Sequence, residues 1–300
     1  MNAVKTKFSI KDLENLAGVK AHTIRIWEKR YNLLKPERTP TNIRTYTLKD
    51  LQKLLNVTFL LEHKHKISKI AKNDSPAIVQ MVKEIIAQKE KPENHQAINS
   101  FKIAMMNFDQ QLFAKTFDSL SQQLSFREIF YQVLIPLLEE IGMLWQTNTI
   151  DPSHEHFITN LIKQKILLKI EEYQIEHTPN KEKVFVLFLP ENEIHDLGLL
   201  FLNYEIVGHG YKCIYLGQSI MIENLKYLNV NQPNVHFVSY FTVKPEDTSV
   251  AEYVKSFNKE LENDSVPFYI FGRKALRENI KGLPNNARLI KSIDSFIEDL

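Results

Sequence analysis

The sequence predicts an α + α/β chain of several parts: a winged helix-turn-helix head, a four-helix-bundle cap and a doubly wound parallel sheet. Three observations predict it. Two helical stretches joined by a glycine turn open the chain, within a strongly basic first 72 residues. Apolar residues then recur at helical spacing almost throughout residues 95–177. From Lys183 the pattern changes to short unbroken apolar runs separated by helical segments, the mark of buried parallel strands.

Composition sets the bounds. At 300 residues the chain is too long for one ordinary core. Hydrophobic residues make up 43% and charged residues 25%, ordinary for a globular protein. No apolar run is long enough to span a bilayer, and Met1–Ser9 is basic without the apolar stretch of a signal peptide. The expectation is a cytoplasmic protein with no membrane partner. Cys213 is the one cysteine, which rules out an internal disulfide and argues against a cysteine-built zinc site. The net charge of +2 conceals an asymmetry: residues 1–72 hold sixteen Lys and Arg against six acidic residues, while the remainder is net acidic. A basic head on an acidic body points to a polyanion bound at one end.

Residues 9–16 read as a short helix, with Ser9 and Asp12 spaced as a capping box and Ile10, Leu13 and Leu16 on the buried side. Gly18-Val19 makes the turn. A second helix, Lys20 to Arg30, buries Ile24, Trp27 and Tyr31 and presents His22, Thr23, Arg25, Lys29 and Arg30. Helix, glycine turn and basic helix is the layout of a major-groove reader. A proline-broken loop with Arg38, Arg44 and Tyr46 follows as a wing, and Thr47 with Asp50 starts the next helix. Arginines suit guanine edges in the groove and phosphates beside it.

In order, Thr23, Arg25, Trp27, Glu28, Arg30, Tyr31, Leu33, Leu34, Pro36, Arg38, Arg44 and Tyr46 resemble the signature of the MerR family. The resemblance implies binding of double-stranded DNA at a palindromic operator by a dimer or higher homo-oligomer. His22, Thr23, Arg25, Arg30, Arg38, Arg44 and Tyr46 are the expected DNA-binding residues. MerR metal sensors use cysteines after the dimerisation helix; none precedes position 213 here, which argues against a soft-metal sensor.

The head is expected over 1–74, a short helix from Ser75 and a polar linker ending at Asn94 over 75–94, and the cap over 95–178. One cap helix holds Ile129 to Leu144, with Pro136 bending it or marking its start. Another runs from Ser153 to Gln174, with Phe157, Leu161, Ile162, Ile166 and Leu167 inward. Trp145 is followed, after nine intervening residues, by Glu155-His156. Read alone, Trp145 fills the bundle core and Glu155-His156 caps a helix.

Residues 181–300 alternate strand and helix five times, which predicts a Rossmann-like (flavodoxin-like) sheet of order 2-1-3-4-5 with ligands at the strands' carboxyl ends. The first such loop reads Glu193-Ile194-His195-Asp196-Leu197-Gly198 and has no glycine-rich phosphate motif, so a dinucleotide is not expected. A loop histidine oriented by a carboxylate suits a metal ligand; alone, it is more simply a histidine satisfied by Glu193 or Asp196.

This loop resembles the D-x-H-x-x-G motif of cobalamin-binding domains, with Glu193 in place of Asp. The resemblance implies His195 as the lower cobalt ligand supported by Glu193, with Gly198, Ser239 and Gly272 also cofactor-binding. Ser239-Tyr240-Phe241 stands where that family has S-x-L. Phe271 replaces the first of a glycine pair that leaves space for the cofactor's nucleotide tail, so its ring is expected to obstruct that slot.

Head, cap and sheet in this order resemble the light-responsive repressors of the CarH/LitR type, MerR regulators with a C-terminal cobalamin-binding domain. The resemblance implies Trp145, Glu155 and His156 around the adenosyl group of adenosylcobalamin, a tetramer that represses in the dark, and release of DNA in light. Gln146 stands where photoreceptor members can have a histidine that captures cobalt in light. Two alternatives stay open: a MerR regulator whose degenerate cobalamin domain answers to a protein partner or another ligand, and a corrinoid module of the methionine-synthase type. The second needs a methyl-transfer domain that does not fit beside a DNA-binding head, so no enzymatic activity is expected.

Overall fold

Ser9 caps the first helix as its spacing predicts: its hydroxyl accepts from the Asp12 N–H and the Asp12 carboxylate accepts from the Ser9 N–H. The structure is a computed structural model that describes residues 7–87, 94–147, 149–176, 178–179, 181–231, 234–278 and 282–300. The head comprises β1 (Lys7–Phe8), α1 (Ile10–Ala17), α2 (Ala21–Tyr31), β2 (Glu37–Arg38), β3 (Arg44–Thr47) and α3 (Leu48–Glu62). Gly18 ends α1 at φ 68°, a left-handed conformation that glycine enters without strain. The three short strands pair in the order β1-β3-β2, which sets Phe8 beside Tyr46. Leu13, Leu16, Ile24, Leu51, Leu54 and Leu55 close the core.

Two short helices follow, α4 (Ile67–Ile70) and α5 (Ser75–Ala87). The expected linker lies outside the described residues except for Asn94, which already belongs to α6 (Asn94–Asn107). The bundle continues with α7 (Gln110–Ser121), α8 (Phe126–Ile129), α9 (Ile135–Gln146) and α10 (Pro152–Glu176). Pro136 has no N–H to return to the preceding turn. The chain takes this up in a π turn, Phe130–Leu134, where the Ile135 N–H reaches back five residues to the Phe130 carbonyl. Along α10 the buried stripe is Ile158, Ile162, Ile166 and Ile170. Leu167, expected inward, is exposed, because each residue turns about 100° around the helix and carries it off that stripe.

Residues Met1–Ile162 form one compact unit and Lys163–Leu300 another. Within the first, α3 packs on both α1 and α6. Lys102 on α6 is buried; its Nζ donates to the Leu16 carbonyl at the end of α1 (3.1 Å) and to Glu140 on α9 (2.7 Å). The Asn15 side chain donates to Thr149 (2.8 Å). Replacing Lys102 by Met should cost this unit about 2 kcal/mol, because Glu140 and the Leu16 carbonyl lose a charged partner. Amide exchange in α1 should quicken accordingly.

The second unit is a five-stranded parallel sheet of order β5-β4-β6-β7-β8, the 2-1-3-4-5 arrangement read from the sequence. Its strands are β4 (Val184–Pro190), β5 (Lys212–Ile220), β6 (Val235–Tyr240), β7 (Phe268–Phe271) and β8 (Ala287–Leu289). The helices are α11 (Leu197–Gly208), α12 (Lys226–Asn231) after a 3-10 turn at Ile222–Leu225, α13 (Val250–Leu261), α14 (Arg273–Arg277) and α15 (Ile293–Glu298). Alternation divides the core. Phe185, Leu187, Val238 and Phe271 face α11 and α15, while Val186, Phe188, Phe237 and Ile270 face α13.

Candidate DNA interface and candidate cobalt-ligating loop

Helix α2 buries Ile24 and leaves His22, Arg25, Lys29 and Arg30 exposed, with Thr23 half-buried between them. This is the face that the sequence predicts for the DNA. Arg38, in the wing, is exposed and donates to Asn42 (2.5 Å) across the tip. Arg44 and Tyr46 turn inward to Glu28. Arg44 Nε donates to one carboxylate oxygen of Glu28 (3.1 Å), and the Tyr46 hydroxyl donates to the other. Tyr46 is 0% exposed, so its expected place among the DNA-contacting residues is corrected: a side chain with no surface holds the wing against α2 instead. Burial, and then the Glu28 bond, push its phenol well above the ordinary range. Arg44 keeps about a third of its side chain exposed and can still meet a phosphate. Glu28 is the residue whose role sequence reasoning missed, because its partners Arg44 and Tyr46 lie 16 and 18 residues away.

In the bundle, Trp145 is 51% exposed at the end of α9, which sets aside the reading that it fills the core. Glu155 and His156 lie in the first turns of α10, half-buried and exposed. The neighbouring His154 is the buried one, stacked on Phe108 with ring centres 4.9 Å apart.

In the second unit, the loop between β4 and α11 lies where the sheet's connections change direction, the usual ligand crevice of such sheets. Glu193 is 1% exposed and organises this loop. One oxygen accepts from the N–H groups of Ile194 (3.0 Å) and His195 (3.1 Å) and from His195 Nδ1 (2.6 Å). The other accepts from the N–H groups of Val243 (2.7 Å) and Lys244 (2.9 Å) after β6. Burial alone would raise its pKa, but the His195 bond and these backbone donors hold it down to about 2. An ionised Glu193 favours the proton on His195 Nδ1 and leaves the lone pair on Nε2, the tautomer found in carboxylate–histidine–metal arrangements. The His195 side chain is 52% exposed, so it can reach a ligand. Asp196 is engaged elsewhere, with Lys163 (2.6 Å).

The other expected cofactor residues surround a different environment. Ser239 is buried, and its hydroxyl has no hydrogen-bond partner among the described residues. Gly198 and Gly272 are both in close contact with the protein itself. A side chain at Gly198 would meet the Tyr240 ring at 2.8 Å, and one at Gly272 would meet the Phe241 carbonyl at 2.2 Å. Gly272 also sits at φ 105°, open to glycine alone in practice. His195 held by Glu193 therefore fits the donor set of a corrinoid's cobalt, whereas Ser239 is fully buried and the Tyr240 ring lies against Gly198.

Residues 8–74 match the family described as MerR HTH family regulatory protein, and residues 97–168 match that described as B12 binding domain. The chain carries a MerR-type regulatory head and a B12-binding domain. The second match falls on helices α6 to α10. This regulator is 28% identical over 215 residues to the HTH-type transcriptional repressor CarH of Myxococcus xanthus, covering 70% of each chain. It is 23% identical over 209 residues to the HTH-type transcriptional repressor CarA of the same organism, covering 69% of this chain and 67% of that one. Its fold is similar to that of the Methanosarcina barkeri monomethylamine corrinoid protein, with TM-score 0.53, 14% identity, and coverage of 69% of this chain and 98% of the other. It is thus a DNA-binding transcriptional regulator, and both curated relatives are transcriptional repressors. Among the described residues, no helix is long and apolar enough to cross a membrane.

Proposed function

We propose that this regulator is a cytoplasmic, non-enzymatic repressor whose oligomeric state and grip on a palindromic operator are set by a bound corrinoid, with adenosylcobalamin as the ligand. The observation that carries this reading is the Glu193–His195 pair: a buried carboxylate orients an exposed imidazole at the sheet's ligand crevice. His195 holds the cobalt, and Glu193 sets its tautomer. On the helical unit, Trp145 with Glu155 and His156 contacts the adenosyl group. Such a ligand, when bound, supplies a light-sensitive cobalt–carbon bond. Preference of the ligand for one of two arrangements of the protein shifts the population that binds DNA.

The test is spectroscopic. Protein mixed with adenosylcobalamin in the dark and freed of excess ligand should keep a corrinoid spectrum that changes under green light. His195→Ala should lose the histidine-ligated spectrum. Absence of retained colour from the wild type would sink adenosylcobalamin as the ligand, and absence with a tail-less corrinoid as well would favour control by a protein partner.

His22, Thr23, Arg25, Arg30, Arg38 and Arg44 contact the DNA in this reading. Arg25→Ala should weaken operator binding by about tenfold or more and nonspecific binding much less, if Arg25 reads a base. Equal losses on operator and random DNA, measured by titration at fixed salt, would assign it to a phosphate.

A further inference from the structure

The hollow beside Gly198 has an occupant that belongs to the chain. Tyr240 and Phe271 are direct partners across β6 and β7, and their rings stack 6.1 Å apart at 11°. Phe271 is 2% exposed and meets Phe296 of α15 edge to face, with centres 5.3 Å apart. Tyr240 lies so close over the first turn of α11 that a side chain at 198 would push its ring aside. Two glycines that could have made room for a ligand are thus taken up by the protein's own packing. Gly198 admits the Tyr240 ring, and Gly272 admits the Phe241 backbone. An aromatic stack of this kind contributes contact energy and apolar burial that any incoming group must replace.

We infer that Tyr240 and Phe271 plug the space that a corrinoid's nucleotide tail would need, so that this regulator selects its ligand by corrin ring and cobalt and takes tail-less corrinoids of the cobinamide class in preference to complete cobalamins. This rests on the corrinoid reading of His195. The chemistry follows from the ligands. A complete cobalamin carries its own benzimidazole base on the lower face of the cobalt. His195 must displace that base, and the tail must then be housed. With the space filled, displacement is penalised twice, by loss of the internal base and by exclusion of the tail. A cobinamide has no such base, and His195 meets the cobalt without a competitor. The preference is a difference between two affinities, created by obstructing one ligand.

Visible-spectrum titration of the full chain with adenosylcobinamide and with adenosylcobalamin, both in the dark, tests the inference. The expected result is cobinamide binding tighter by about tenfold or more, a difference that His195→Ala largely removes. Tyr240→Ala opens the space and should shift the preference toward cobalamin by about tenfold. Because Tyr240 packs in the core, the wild-type ratio decides the matter should that variant fold poorly. Cobalamin binding as tightly as cobinamide, or tighter, in the wild type would overturn the plug and leave the corrinoid reading standing. Failure of wild type and variant to hold either ligand would overturn both.

Discussion

Glu28→Ala should destabilise the first unit by about 3 kcal/mol and reduce operator affinity by more than tenfold. One carboxylate performs two tasks here. It accepts the Tyr46 hydroxyl, which has no surface through which to reach water instead, and it pairs with Arg44 on the same strand. Without it the phenol is buried with its donor unmet, and Arg44 no longer ties the wing to α2. Recognition helix and wing then lose their fixed spacing, and a two-part grip on the duplex depends on that spacing. Chemical denaturation gives the first quantity and operator titration the second. Tyr46→Phe separates them: it removes the donor together with the need for an acceptor, so it should cost about 1 kcal/mol and leave affinity nearly unchanged. An E28A protein with wild-type affinity would show that the wing contributes nothing to binding.

Glu193→Ala should have a comparable effect on the second unit, about 3 kcal/mol, and should abolish a histidine-ligated corrinoid spectrum. The carboxylate ties the loop after β4 to the loop after β6, so four backbone N–H groups lose their acceptor at once. The same residue predicts a pH dependence for the ligand-free protein. Its folded pKa, about 2, lies below the unfolded value near 4.5. The stabilisation is therefore fully present above about pH 4.5 and is lost as pH falls toward 2. Glu193→Gln should flatten that acid limb of the stability profile. A limb of unchanged steepness in the variant would place the acid sensitivity elsewhere.

The elements themselves were readable because their signals are local. Ser9 with Asp12 and Thr47 with Asp50 are spaced for reciprocal caps, and both form. The strand order followed from unbroken apolar runs alternating with helices. Non-local partnerships left no comparable trace. Nothing in the spacing of Glu28 and Tyr46 announces that they bond, and the tyrosine of an R-x-Y wing looks like a DNA contact until its burial is seen. Lys102 reads as one more solvated lysine on a helix, yet it is buried. At the corrinoid loop, the sequence identified His195 and its carboxylate and drew attention to Phe271. It did not reveal that Tyr240 supplies the second ring, because which face of a strand meets Gly198 is settled only by the register of the sheet.

Lys102 also bears on how such regulators can be recombined. Its ammonium completes the end of the head's first helix from inside the bundle, so the stretch that looks like a detachable DNA reader shares part of its interior with its neighbour. Heads exchanged between relatives as cassettes would carry the carbonyl but not the matched lysine and glutamate. Chimaeras joined near residue 74 should therefore melt earlier than either parent unless positions 102 and 140 travel with the graft.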